Sequence, residues 1–278
     1  MSGMVDIGAV WDRTVEFVSD NLSAVVPTAL IGIFVPLTVS ASLAPLATGV
    51  APGEQSIIYC AMILLSLWSL WGKLGIVALA LDPHGGRPGA VQMAGRRLLP
   101  AIGISLLLLV GVIVVIAPIL IVLQMGGFDF AAAANGQPTE IGSSVKGFVA
   151  LYGLLIGAAF FWVGARLCVL LPTIVMERRG FAVFARSFRL TRGIALKLVG
   201  VILLYLTVSI VSQKAAQFVF GALLGLMFGG EGAVSLPAVL TSILVGVVAT
   251  AFTVLAAAFT AKLYRALRDA RESIVEAR

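Results

Sequence analysis

Six basic side chains, Lys73, Arg166, Arg178, Arg179, Arg186 and Arg189, carry most of this chain's capacity for polar chemistry. Lys73 and Arg166 lie inside long apolar runs; the other four gather in the segment 172–193. A cation in the middle of a membrane-length run costs about 2.5–3.5 kcal/mol to insert, so it faces protein, water or a lipid headgroup. No Asp or Glu lies inside any of these runs to neutralise it. Arg166 sits roughly 15 Å from the inner end of its run at 1.5 Å per residue, a depth from which full snorkelling is strained. Lys73 and Arg166 therefore need backbone carbonyls, water or an anion from outside the chain. Two roles stay open: structural residues bonded to carbonyls or snorkelled, or a site for an anionic lipid, whose phosphate a guanidinium takes bidentately. The second role predicts that Arg166 lines a cavity open to the inner leaflet, with Lys73 or Arg178, Arg179 and Arg186 near the same opening.

Other chemistries lack materials. His84 is the single histidine and sits in a Pro-His-Gly-Gly turn, which leaves nothing for zinc or for a Ser-His-Asp triad. Gly85-Gly86-Arg87 has no preceding strand and no following Gly-Lys-Ser/Thr, so it reads as a turn and not as a phosphate cradle. Cys60 and Cys168 fall in different apolar runs and are expected to be reduced, buried and inert. The lack of intramembrane carboxylates argues against proton or sodium coupling. The expectation is a protein with no catalytic residue, no metal and no cofactor.

The elements that must position these cations are membrane spans. The chain is 60% hydrophobic and 12% charged, and its mean hydropathy of +1.09 is too apolar for a soluble domain. An all-α integral membrane protein with six transmembrane helices is expected, the spans falling at 24–48, 57–81, 98–123, 148–176, 195–220 and 238–261. Gln213, Lys214 and Gln217 interrupt the fifth region, which is either one long tilted helix or a span followed by a surface helix. Most of the 19 basic residues fall in alternate gaps and in the tail, whereas Glu54, Asp129, Glu140 and Glu231 mark the opposite gaps. The positive-inside rule then puts both termini in the cytoplasm and accounts for the high pI without a nucleic-acid partner.

Residues 1–22 precede the first span as an amphipathic interfacial helix. Ile7, Val10, Trp11, Thr14, Phe17 and Val18 share one face, and Asp6, Asp12, Arg13, Glu16 and Asp20 the other. This acidic segment does not resemble the basic start of a cleaved signal. Residues 23–262 form the six-helix domain, and 263–278 a basic cytoplasmic helical tail.

The two main cytoplasmic gaps align without insertions, 89–98 on 181–190, with Ala, Val, Arg and Leu coinciding. Each follows a span that carries a Trp and a buried cation, Trp71 with Lys73 and Trp162 with Arg166. Either the chain holds a parallel internal repeat, related by an axis along the membrane normal, or these are two unrelated amphipathic linkers. A repeat predicts that each segment forms a short helix lying along the inner surface. In the second segment Phe181, Phe184, Ala185 and Phe188 make an apolar stripe flanked by Arg178, Arg179, Arg186 and Arg189, with Gly193 placed to stop the helix. Gly153-xxx-Gly157 and Gly221-xxx-Gly225 permit close helix contacts, within the chain, in a homo-oligomer or with a membrane-protein partner.

The run from Arg166 through Pro172, Glu177, Gly180, Arg186-Ser187 and Leu190-Thr191 to Gly193 resembles the glycerophosphoryl diester phosphodiesterase membrane-domain family. It is also similar to related uncharacterised six-helix inner-membrane proteins of bacteria. Gly85-Gly86-Arg87-Pro88 with Arg96-Arg97-Leu98 resembles the earlier loop of that family. Some relatives carry a soluble phosphodiesterase domain after the membrane domain; no such domain follows here, so no phosphodiesterase activity is expected. The resemblance implies a bacterial inner (plasma) membrane protein. Together with the basic residues, it gives the expectation of a non-enzymatic protein that binds or organises anionic phospholipid, the alternative being a transporter or flippase-like conduit for an anionic amphiphile.

Overall fold

In the computed structural model the described residues are 5–47, 50–134, 137, 139, 141–177, 182–229 and 235–276. They form an all-α membrane protein with no strand among them, and six helical segments are long and apolar enough to cross a bilayer.

Helix α1 (Ile7–Asp20) starts at Asp6, whose carboxylate accepts the Gly8 N–H at 2.9 Å. Its buried residues, Val10, Thr14 and Phe17, belong to the apolar face expected from the sequence. That face packs against the last helix of the chain, so protein covers what the sequence assigned to lipid.

The first span is not a regular helix. It runs as α2 (Leu22–Ala29), a π-helical turn (Leu30–Phe34), α3 (Val35–Leu43) and a 3-10 turn (Ala44–Ala47). Pro36 has no N–H for the Gly32 carbonyl four residues back, and the chain widens there so that the Val35 N–H bonds to the Leu30 carbonyl. Gly32 lies against Gly72 of α4 (Pro52–Leu81), backbone on backbone: a Cβ added at Gly72 would fall 2.1 Å from the Gly32 oxygen. Only glycine permits this approach.

A short turn (Pro83–Gly85) leads into α5 (Gly86–Met125). Here the structure corrects the sequence reading. Residues 89–98 do not form a separate surface helix; they are the first turns of a continuous helix of 40 residues. At 1.5 Å per residue α5 is about 60 Å long, twice a hydrocarbon core of about 30 Å.

After α6 (Phe130–Ala134), the fourth span is split into α7 (Ser143–Leu167) and α8 (Leu170–Met176). Pro172 explains the break, because its ring displaces the carbonyl of Cys168 four residues earlier. Helix α9 (Ala182–Leu190) is separate and short, as residues 181–190 predict, so the two aligned segments are both helical but built differently. Gly193, at φ +94°, turns the chain into α10 (Ala195–Phe228). That helix is uninterrupted through Gln213, Lys214 and Gln217, which settles the fifth region as one long helix. Helix α11 (Leu236–Glu276) carries the sixth span straight into the tail.

Packing is uneven along the membrane normal. At the end that holds the tail of α11 and the turn into α5, hereafter the basic end, α4 is buried on all sides from Leu74 to Leu81. Around it sit Ala90 and Ala94 of α5, Ile174 and Val175 of α8, and Ala258 and Ala261 of α11. Toward the opposite end, large apolar side chains such as Leu106, Ile113, Leu204 and Phe218 point outward as a lipid-facing belt.

Candidate functional site

The break between α7 and α8 determines what Arg166 does. Interruption of the helix after Leu167 frees the Arg166 carbonyl, which accepts the Ser187 hydroxyl at 2.6 Å and the Thr191 hydroxyl at 3.3 Å. In return the Arg166 guanidinium donates from Nη1 to the Phe188 carbonyl at 3.2 Å. That carbonyl is in the last turn of α9, where a cation is favoured by the helix dipole. The guanidinium also lies 5.1 Å over the Trp162 ring, and Trp162 meets Phe188 edge-on at 6.2 Å. Arg166 thus locks α9 onto α7 with partners from the chain itself. Of the partners left open for Arg166, the structure supplies a carbonyl: it comes from α9, about twenty residues along the chain. Its buried Nε has no hydrogen-bond partner among the described residues.

Arg186 is also engaged. Its Nε sits 2.9 Å from Oε1 of Glu177, and the buried Tyr264 hydroxyl of α11 donates to the same oxygen at 3.1 Å. This Glu177–Arg186–Tyr264 group joins the end of α8, helix α9 and α11. Sequence reading placed Glu177 in a motif but gave it no function. Its position as the first acid after the fourth span, beside a run of arginines, was the available signal; Tyr264 offered none.

Arg189 and Arg192 are exposed, and the Arg189 carbonyl accepts from Nη2 of Arg271 on α11. Burial, then the neighbouring charges of Arg189, Arg186 and Arg192, lowers the pKa of Arg271 from its ordinary value. The basic end therefore gathers arginines from α9 and from the tail of α11. Among the described residues, the remaining carboxylates here serve Arg268, with Glu272 at 3.1 Å and Asp269 at 4.0 Å. None of them engages Arg189, Arg192 or Arg271. Arg178 and Arg179 lie outside the described residues.

Lys73 is apart from all of these. It has no hydrogen-bond or ion-pair partner among the described residues and lines a cavity of about 440 Å³ with Tyr205, Ser209, Gln213, Thr253 and Thr260. A second cavity of about 620 Å³ continues toward the opposite end between α3, α10 and α11, lined by Thr38, Gln217, Thr241 and Ser242 among others. Leu37, Gln213 and Ala249 line both. The sequence reading paired Lys73 with Arg166; in the structure Lys73 faces this cleft and Arg166 faces α9.

The remaining groups are quickly placed. Cys60 is exposed on α4, contrary to the expectation of burial, because it lies on the outward face of that helix. Cys168 sits at the helix break and lines the 440 Å³ cavity. His84 is exposed in its turn, and no group of three or more metal-ligating side chains exists among the described residues. Gly153 and Gly157 have open space around them, whereas Gly221 and Gly225 line the larger cavity. No family model matches the chain, and no curated protein or solved structure matches it either, so its function is read from its own geometry.

Proposed function

We propose that this chain is a non-enzymatic protein of the bacterial inner membrane, with both termini cytoplasmic, that binds or organises anionic phospholipid at its basic end. One observation carries this reading: Arg189 of α9, Arg192 in the turn after it and Arg271 of α11 converge with no carboxylate among the described residues to balance them. Clustered like charges raise the energy of the folded state unless counterions answer them, and anionic headgroups at a membrane surface are the nearest source. Guanidinium groups suit phosphate in particular because they bind it bidentately.

The test is lipid retention by native mass spectrometry after reconstitution into mixed phosphatidylglycerol and phosphatidylcholine. Wild-type protein should retain phosphatidylglycerol preferentially. Replacing Arg189, Arg192 and Arg271 together by Gln should abolish the preference while leaving the Arg166 and Arg186 contacts intact. An undiminished preference in that triple variant sinks the reading. A second reading, a conduit for an anionic amphiphile, draws support from the polar cleft beside Lys73.

A further inference from the structure

We infer that the cleft between α3, α10 and α11 is an intramembrane binding site for a single-chain anionic amphiphile, with Lys73 at its charged end. The inference deepens the conduit reading and names its ligand class; it does not involve the arginines of the basic end.

Three observations converge. Lys73 projects into the 440 Å³ cavity with no carboxylate, carbonyl or ring among the described residues to hold it. An ammonium group at this depth is stable only with an anion or water beside it. The cleft is also large: cavities of about 620 and 440 Å³ share Leu37, Gln213 and Ala249 and follow one another along the α10–α11 seam. Each is within the range of about 300–1,000 Å³ that holds small organic ligands. Finally, Thr241 is a buried hydroxyl on the wall of the larger cavity without a partner among the described residues. A polar group left so in an apolar setting is destabilising until a ligand or water meets it.

The chemistry of the walls selects the ligand. Most hydroxyls in the cleft already donate to helix carbonyls: Thr253 to Ala249 at 2.8 Å, Thr260 to Ala257 at 2.9 Å, and Tyr205 to Phe252. The amide of Gln213 donates to Ser209. Charge recognition therefore falls on Lys73, whose three N–H groups have no acceptor among the described residues. A zwitterionic headgroup would bring its own cation against that ammonium, so a net anion is preferred. Beyond Lys73 the apolar part of the wall, from Leu37, Ala41, Val245 and Ala249, offers an alkyl chain a path toward the opposite end. A bare anion would leave that length of cleft unfilled.

The experiment is titration of the purified full chain, in an uncharged maltoside detergent, with dodecyl phosphate, dodecylphosphocholine and inorganic phosphate, followed by calorimetry and native mass spectrometry. Saturable binding of dodecyl phosphate alone is expected. Lys73→Met should weaken it at least about tenfold and Lys73→Arg only a few-fold. Ala249→Phe, which fills the junction of the two cavities and keeps the lysine, should abolish binding, and it serves where Lys73→Met fails to fold. Wild-type affinity in either Lys73→Met or Ala249→Phe overturns the site, as does equal binding of inorganic phosphate or of dodecylphosphocholine. A separate assay of labelled phosphatidylglycerol movement between vesicle leaflets tests the conduit. Binding without movement supports the site and ends the conduit reading, so the two fail separately.

Discussion

The basic end and the α10–α11 cleft use polar residues in opposite ways. At the basic end a set of polar groups near the core has partners from another helix: Arg166 with Phe188, Ser187 with the Arg166 carbonyl, Arg186 with Glu177, Tyr264 with Glu177. Each bond ties two elements together, and the apolar stretch Leu74 to Leu81 is sealed within them. In the cleft the Tyr205 hydroxyl crosses from α10 to the Phe252 carbonyl of α11, but the threonines bond within their own helices, Thr253 and Thr260 to carbonyls three or four residues back. Such bonds satisfy the group without fastening one helix to another. Polar residues alone therefore do not distinguish a structural region from a binding region; the number of their bonds that cross between elements does.

The largest expected effect tests that difference in packing. Leu74→Ala should cost about 2–5 kcal/mol, because the sealed end cannot collapse into the void. Leu37→Ala, on the cleft wall, should cost less than about 1 kcal/mol, since it enlarges a space that already exists. Thermal unfolding in detergent compares them, and equal losses would erase the distinction. Next comes Arg166. Arg166→Met should lower stability by about 2–3 kcal/mol through the lost charged hydrogen bond and the α9 carbonyl left unmet, with Arg166→Lys intermediate. A folded Arg166→Met protein of wild-type stability, with its lipids unchanged, would remove the interlock from the account. The smallest effect has the opposite sign. Thr241→Val should leave unliganded stability unchanged or raise it by up to about 1 kcal/mol, because it removes a buried hydroxyl that no group among the described residues answers. A clear loss of stability there would mean that the hydroxyl is already satisfied.

Much of the fold was legible because hydropathy records it. All six apolar runs correspond to helices, and the face of α1 carrying Val10, Thr14 and Phe17 is the buried one. What escaped was the outcome of competition between local and tertiary forces. Pro172 breaks its span where Pro100 and Pro118 do not break α5, although each proline removes the same hydrogen bond. In the fourth span, Ser187 and Thr191 stand ready to take the freed Arg166 carbonyl, and that compensation comes from a helix distant in sequence. The site was legible only in its members. Sequence showed that Lys73 and Arg166 are both costly cations, but their sameness in type suggested a common role. One turned out to be answered by a carbonyl of α9, the other by nothing in the described chain, and no periodicity distinguishes those outcomes.

The π turn at Leu30–Phe34 acts as a one-residue frame shift in the first span. Each residue of an α-helix advances the azimuth by about 100°, so one residue accommodated without adding a turn re-aims everything after it by that angle. Within the turn, Gly32 is pressed against Gly72; after it, Thr38 reaches Gly246 of α11, where an added Cβ would come within 2.4 Å of its methyl group. A single hydrophobic stripe could not serve both neighbours. The span is in effect two half-helices spliced out of phase, the first packed on α4 and the second on both α4 and α11, and the splice determines which side chains of the first span face the cleft.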